Sequence, residues 1–272
     1  MPWTTEHNIW LTQIPNQRTT VDGKAVTLLE FNPNFDDTET MSRWAKHFRN
    51  HYCFDTEIDF FREGTGLSKK DFLLNTKFPT TTRGFGPGIR AGDFGEILIA
   101  DYLAYTLDHW VPRTRYGNKT IRDESTKGSD LIGFKTIDDT ESIQDILTMF
   151  EVKTQFSGTK TKPRLQDAIN DSIKDELRKA ESLNAMKQRL YDKGNLSDAQ
   201  KISRYQNPID KPYTEKYGAA ALFSDNIYNE EAITQSSTQM HPYKNNLFLI
   251  VIKGGDLMSV VNHLYSLSAN EA

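Results

Sequence analysis

The stretch from Gly92 to Leu107 (GDFGEILIADYLAYTL) constrains this chain more than any other. It reads as a helix that is apolar nearly all round, and such a helix is stable in water only when enclosed in a core. The chain must therefore build layers around it. With 272 residues there is room for one large domain, or a core with an appendage.

The elements after that helix say what the layers are. Trp110 to Tyr116, Asp130 to Phe134 (DLIGF) and Ile146 to Thr154 (ILTMFEVKT) are rich in residues that suit strands. From Leu165 to Asp192, apolar residues recur in steps of four and three, which predicts one long amphipathic helix stopped at Gly194. Ala219 to Phe223 and Leu247 to Lys253 read as further strands, and Leu257 to Leu267 as a closing helix. Helix, three strands, helix, strand predicts an α/β fold with a mixed sheet.

The segment Pro79 to Gly92 (PTTTRGFGPGIRAG) holds four glycines and two prolines and reads as a loop. It divides a small α+β N-terminal appendage, residues 1–85, from a main domain over 86–272. Within the appendage, Val26 to Phe31 is a candidate strand. Thr38 to His51 is a candidate helix capped by Asp37 or Thr38, and Ser68 to Leu74 a second, short one.

Chemistry concentrates in F-E-V-K-T. Glu151 and Lys153 stand two apart on a strand, so both side chains share one face while Val152 points into the core. Asp130 opens the preceding strand after the turn K-G-S. Two carboxylates on adjacent strands repel unless one is protonated or a cation lies between them. Mg²⁺, which prefers oxygen ligands and takes one or two carboxylates, suits that place, with Mn²⁺ as a substitute. A lysine beside it can offset charge on an attacked phosphodiester. On the buried helix Glu96 lies apart from the stripe Asp93, Asp101 and Asp108, beside apolar residues. It needs a partner inside or an exit to solvent at the helix start. The string Asp22-Gly23-Lys24 also fits D-x-K, but reads as a hairpin turn.

Taken together, G-D-F-G-E-I-L-I-A, K-G-S-D-L-I-G-F and F-E-V-K-T resemble the PD-(D/E)xK nuclease superfamily and, more narrowly, the HamA family of nuclease subunits of the bacterial Hachiman anti-phage system. Ser129 stands where the superfamily's name has proline. The resemblance implies a restriction-endonuclease-like core, a central mixed sheet flanked by helices. It implies metal-dependent DNA cleavage by Glu96, Asp130, Glu151 and Lys153, with Asp130, Glu151 and Glu96 holding the metal. It also implies a HamB-like helicase partner, for which residues 1–85 are a candidate docking region. The alternatives are a catalytically silent nuclease-like module that binds a helicase or DNA, and a restriction-type endonuclease working alone.

The net charge of −4 excludes bulk electrostatic binding to DNA. Residues 111–129 nevertheless sum to +3 and residues 152–166 to +4, which leaves −11 elsewhere. Positive charge thus flanks the carboxylates, and Lys127, Gln155, Lys160, Lys162 and Arg164 are candidate DNA contacts. The single Cys53 excludes an internal disulfide. His47 and His51, one turn apart near Cys53, have a spacing that can bind zinc, but no fourth ligand accompanies them. Gly84, Gly86 and Gly88 read as a connector rather than a phosphate loop. The first residues lack a signal-peptide pattern and no apolar run spans a bilayer, so a cytoplasmic location without membrane contact is expected.

Overall fold

A computed structural model describes residues 3–137 and 141–272. Its described strands are β1 (Leu11–Gln13), β2 (Arg18–Thr19), β3 (Ala25–Phe31), β4 (Leu131–Lys135), β5 (Ile146–Gln155), β6 (Thr214–Ser224) and β7 (Leu247–Gly254). They form one sheet in the order β1-β3-β7-β6-β5-β4, with β2 also on β3. Strands β3, β7, β6 and β5 run parallel, while β1, β2 and β4 are antiparallel to their neighbours. The mixed sheet is the expected one.

Alternation along the strands sorts two cores. On one face Phe150, Val152, Leu222 and Ile252 pack under helices α1 (Thr38–Asn50), α4 (Gly86–Tyr105) and α9 (Leu257–Asn270). On the other, Met149, Ala221, Phe223 and Val251 pack under α5 (Arg164–Ser172), α6 (Asp175–Asp192) and α7 (Leu196–Ser203). Strands buried on both faces lose polar alternation, which is why β6 and β7 read as nearly continuous apolar runs. The short helices α2 (Ile58–Arg62), α3 (Lys69–Phe72) and α8 (Glu230–Thr234) complete the chain. No described helix is long and apolar enough to cross a membrane.

Four sequence expectations change. Residues 1–85 do not stand apart: β3 pairs in parallel with β7, and Trp44 and Phe48 of α1 share the core of α4 and α9. The segment 79–92 is not all loop, because α4 begins at Gly86 with Pro87 in its first turn, where a missing N–H costs nothing. Residues 111–115 form no strand; only Trp110 bridges to Phe134. The 165–192 helix is broken between Ser172 and Asp175. There the Ser172 hydroxyl donates to the Ile169 carbonyl and meets His241 at 3.1 Å, drawing the chain inward. The D-G turn is as read: Thr20 and Lys24 close a hairpin, with Gly23 at φ +81°. Asp37 and Ser68 cap α1 and α3.

Candidate active site

Period-two geometry on β5 turns Glu151 and Lys153 to the α5 side, where Lys153 Nζ lies 2.7 Å from Glu151 Oε1. The β4–β5 register pairs Leu131 with Phe150, so Asp130 falls opposite Glu151 just where β4 begins. Asp130 Oδ2 accepts a 3.0 Å hydrogen bond from the Val152 N–H, which fixes the carboxylate against β5. From the other face α4 approaches closely because Gly95 has no side chain. A Cβ there would come within 2.5 Å of the Thr154 methyl. The next residue is Glu96. These four side chains line one cleft of about 690 Å³, together with Lys127, Arg164, Asp171, Lys174 and Arg178.

The cleft concentrates negative charge out of water. Burial pushes Glu96 up to about 8, against the pull of Arg115 and with reinforcement from Asp130 and Asp93. Burial likewise lifts Glu151 to about 7, with Asp130 adding to it and Lys153 opposing. Burial alone would lower Lys153, but Asp171 and Glu151 outweigh it and hold the ammonium above its ordinary range.

A divalent cation fits this donor set on a specific ground. Glu151 Oε2 is buried and has no hydrogen-bond partner, which is costly for a carboxylate oxygen. Glu96 and Glu151, both lifted by burial, offer with Asp130 the carboxylate oxygens that Mg²⁺ and Mn²⁺ take up.

Arg115 is the main participant that the sequence reading placed elsewhere. Its Nε lies 3.0 Å from Glu96 Oε2 and one terminal nitrogen 2.9 Å from Asp130 Oδ1. It also donates to the carbonyls of Thr126, Ser129 and Asp130, so it holds the K-G-S-D turn and both acids together. Tyr116 donates to Glu96 Oε2 at 2.6 Å. Two acids were also missed. Asp171 Oδ2 lies 2.8 Å from Lys153 Nζ, a second carboxylate on the same ammonium as Glu151. Asp175 is fully buried, and its carboxyl is lifted to about 6 by burial, although the Ser129 hydroxyl opposes this. Asp175 stands at the helix break, for which the regular apolar spacing gave no signal.

The positive segments divide differently from expectation. In 111–129, Arg113 pairs with Asp101 at 2.6 Å, Arg115 with Glu96 and Asp130, and Lys119 with Asp93. These are buried counter-charges, and of the five basic residues only Lys127 lines the cleft. Gln155 does not line the cleft either: its amide donates to the Lys160 carbonyl and its oxygen accepts from Lys162 N, pinning the loop after β5. Lys160 and Lys162 themselves are exposed, and Arg164 pairs with Asp167 at 3.0 Å.

Among the described residues, the ligating atoms that converge within 4.8 Å of one another are those of His7, His47 and Asp101, all fully buried. His7 and His47 approach the Asp101 carboxylate at 2.9 and 3.1 Å, and Arg113 neutralises it. Thr4 N donates to His47 Nδ1, and His51 Nε2 lies 2.9 Å from Arg113. With a guanidinium already in place, this is a hydrogen-bonded core network.

Two comparisons with known proteins bear on these residues. No protein of the curated set matches the chain. The HamA family model matches residues 5–267, a span that includes the seven described strands, Arg115 and the four cleft residues. By that match over nearly its whole length, the chain belongs to the HamA family.

Proposed function

We propose that this chain is the DNA-cutting subunit of a Hachiman defence complex, a metal-dependent phosphodiester hydrolase restrained by a helicase partner. HamA membership makes it a Hachiman component. The observation that carries the catalytic reading is the orphaned Glu151 Oε2, facing a cleft that Glu96, Asp130 and Lys153 also line.

Glu96, Asp130 and Glu151 are the residues that would hold Mg²⁺ or Mn²⁺. When bound, such an ion polarises a phosphoryl oxygen and lowers the pKa of a bound water. The chain's own residues do the rest. Asp130 is kept in place by the Val152 N–H and by Arg115. Lys153 keeps its ammonium charged beside Glu151, where it offsets charge that builds on a phosphate in the cleft. Arg178, Lys174 and Lys127 line the same cleft and suit a phosphate backbone. With net charge −4, unaided DNA affinity stays modest, which fits delivery by a partner.

The test is incubation of the purified chain, alone and with its helicase partner, on supercoiled, linear and single-stranded DNA with Mg²⁺. Cleavage should require the metal and disappear in Glu151→Ala and Lys153→Ala while the complex still forms. Cleavage that persists in excess EDTA, or unchanged defence with all four cleft residues replaced, refutes it. The latter result would favour the silent-module alternative.

A further inference from the structure

The cleft-lining face of α4 continues past the carboxylates toward solvent. Gly88, Ile89, Gly92, Asp93 and Glu96 all line the cleft, a series in steps of three and four along one side of the helix. One turn before Ile89, that stripe ends at Phe85, and the Ile89 N–H donates to the Phe85 carbonyl at 2.9 Å. Phe85 is 82% exposed, a costly place for a phenyl ring.

The ring is held there by a braced turn. Asp123 accepts from Thr80 N at 2.6 Å and from the Thr80 hydroxyl at 3.0 Å. Gly86 packs onto Thr80 so closely that a Cβ would come within 2.1 Å of its hydroxyl oxygen. Gly84 takes the left-handed conformation at φ +54°, and Arg83 is exposed beside it. A braced turn thus presents an exposed aromatic ring and a cation one helical turn ahead of Ile89, where the cleft-lining stripe of α4 begins.

We infer that Phe85, with Arg83, is a stacking platform for an unpaired nucleobase of the substrate strand. This rests on the nuclease reading and deepens it by assigning a substrate class, single-stranded or frayed DNA. Aromatic faces bind unpaired bases without regard to sequence, and a duplex leaves no free base face to offer except at its ends. Eleven residues separate Phe85 from Glu96, about 16 Å at 1.5 Å per residue. At 3.4 Å per stacked base that is about five nucleotides from the carboxylates.

The experiment uses the full chain in a Glu151→Gln background, which removes cleavage. Binding of a 20-nucleotide single strand and of a blunt duplex of equal length is measured by fluorescence anisotropy for Phe85, Phe85→Ala, Phe85→Leu and Phe85→Trp. Alanine and leucine should weaken single-strand binding on the order of tenfold and change duplex binding less than twofold. The tryptophan variant should retain affinity, with its added emission quenched by the single strand. Equal affinity of Phe85 and Phe85→Ala for the single strand overturns the inference alone, provided the parent chain binds DNA. So does an equal loss on both DNAs, or a defect confined to helicase co-purification. A parent chain that binds neither DNA, with wild type leaving DNA uncut even beside its helicase partner, overturns the nuclease reading as well.

Discussion

Replacing Glu151 with glutamine should stabilise the metal-free protein at alkaline pH. Buried Glu151 has its carboxyl lifted from 4.5 to about 7, a gap worth about 3 kcal/mol at about 1.4 kcal/mol per pH unit. Below pH 4.5 the group is protonated whether the chain is folded or not, so no penalty applies. As pH rises toward 7 the unfolded chain gives up its proton first, and stability falls until the full cost is reached above 7. Glutamine removes that cost but weakens the hydrogen bond from Lys153, a loss of about 1 kcal/mol. The net gain near pH 8 is about 2 kcal/mol, which in a chain this long raises Tm by about 4 °C. At pH 5 the two proteins should melt nearly together. Mg²⁺ should reverse the order, raising the wild-type Tm increasingly with pH and leaving Glu151→Gln unmoved. Calorimetric melts at pH 5, 6, 7 and 8, with EDTA or with Mg²⁺, read all of this. A glutamine variant less stable than wild type at pH 8 without metal, or an offset independent of pH, refutes the electrostatic account of the cleft.

Lys153→Met should lower single-turnover cleavage by roughly 10²- to 10³-fold, the usual loss for one transition-state donor, with the circular dichroism spectrum unchanged. Arg115→Met leaves buried Glu96 and Asp130 without their cation and should cost about 3–5 kcal/mol, measured by urea unfolding. Gly95→Ala should destabilise by about 1–3 kcal/mol and also reduce cleavage, because pushing α4 off Thr154 moves Glu96 away from Asp130. Burial pulls His47 down to about 4 against the opposing Asp101 carboxylate, so its contribution holds above pH 6.5 and is lost as pH falls toward 4. That is worth about 3 kcal/mol at the acid end, and His47→Gln should flatten the urea midpoint over that range.

The local part of the candidate site was legible because it obeys short-range rules. Period two alone puts Glu151 beside Lys153, and an all-round apolar helix leaves Glu96 either partnered inside or reaching solvent, of which the structure shows the first. What stayed hidden depends on distance in sequence. Arg113, Arg115 and Lys119 lie in a polar stretch that reads as a surface for phosphate. Only the packing of that stretch beneath α4 shows that Asp101, Glu96 and Asp93 claim them. The pairing of β3 with β7 joins residues more than 200 positions apart, which no local pattern announces. The break before Asp175 was masked because steps of three and four run straight through it. Glycine and proline concealed the first turn of α4, where proline is tolerated and Gly86 serves contact with Thr80. The candidate-site residues most easily missed are therefore those whose partner is distant, or whose backbone departs from the period they otherwise keep.

The central claim is that Glu96, Asp130 and Glu151 form one divalent-cation site. Crystals of the protein soaked in Mn²⁺, with anomalous diffraction recorded near the manganese edge, test it most directly. The account predicts a single peak within coordination distance of Asp130 and Glu151 oxygens, and no such peak in Glu151→Gln. Manganese bound elsewhere, or no peak in the cleft at millimolar Mn²⁺, contradicts it.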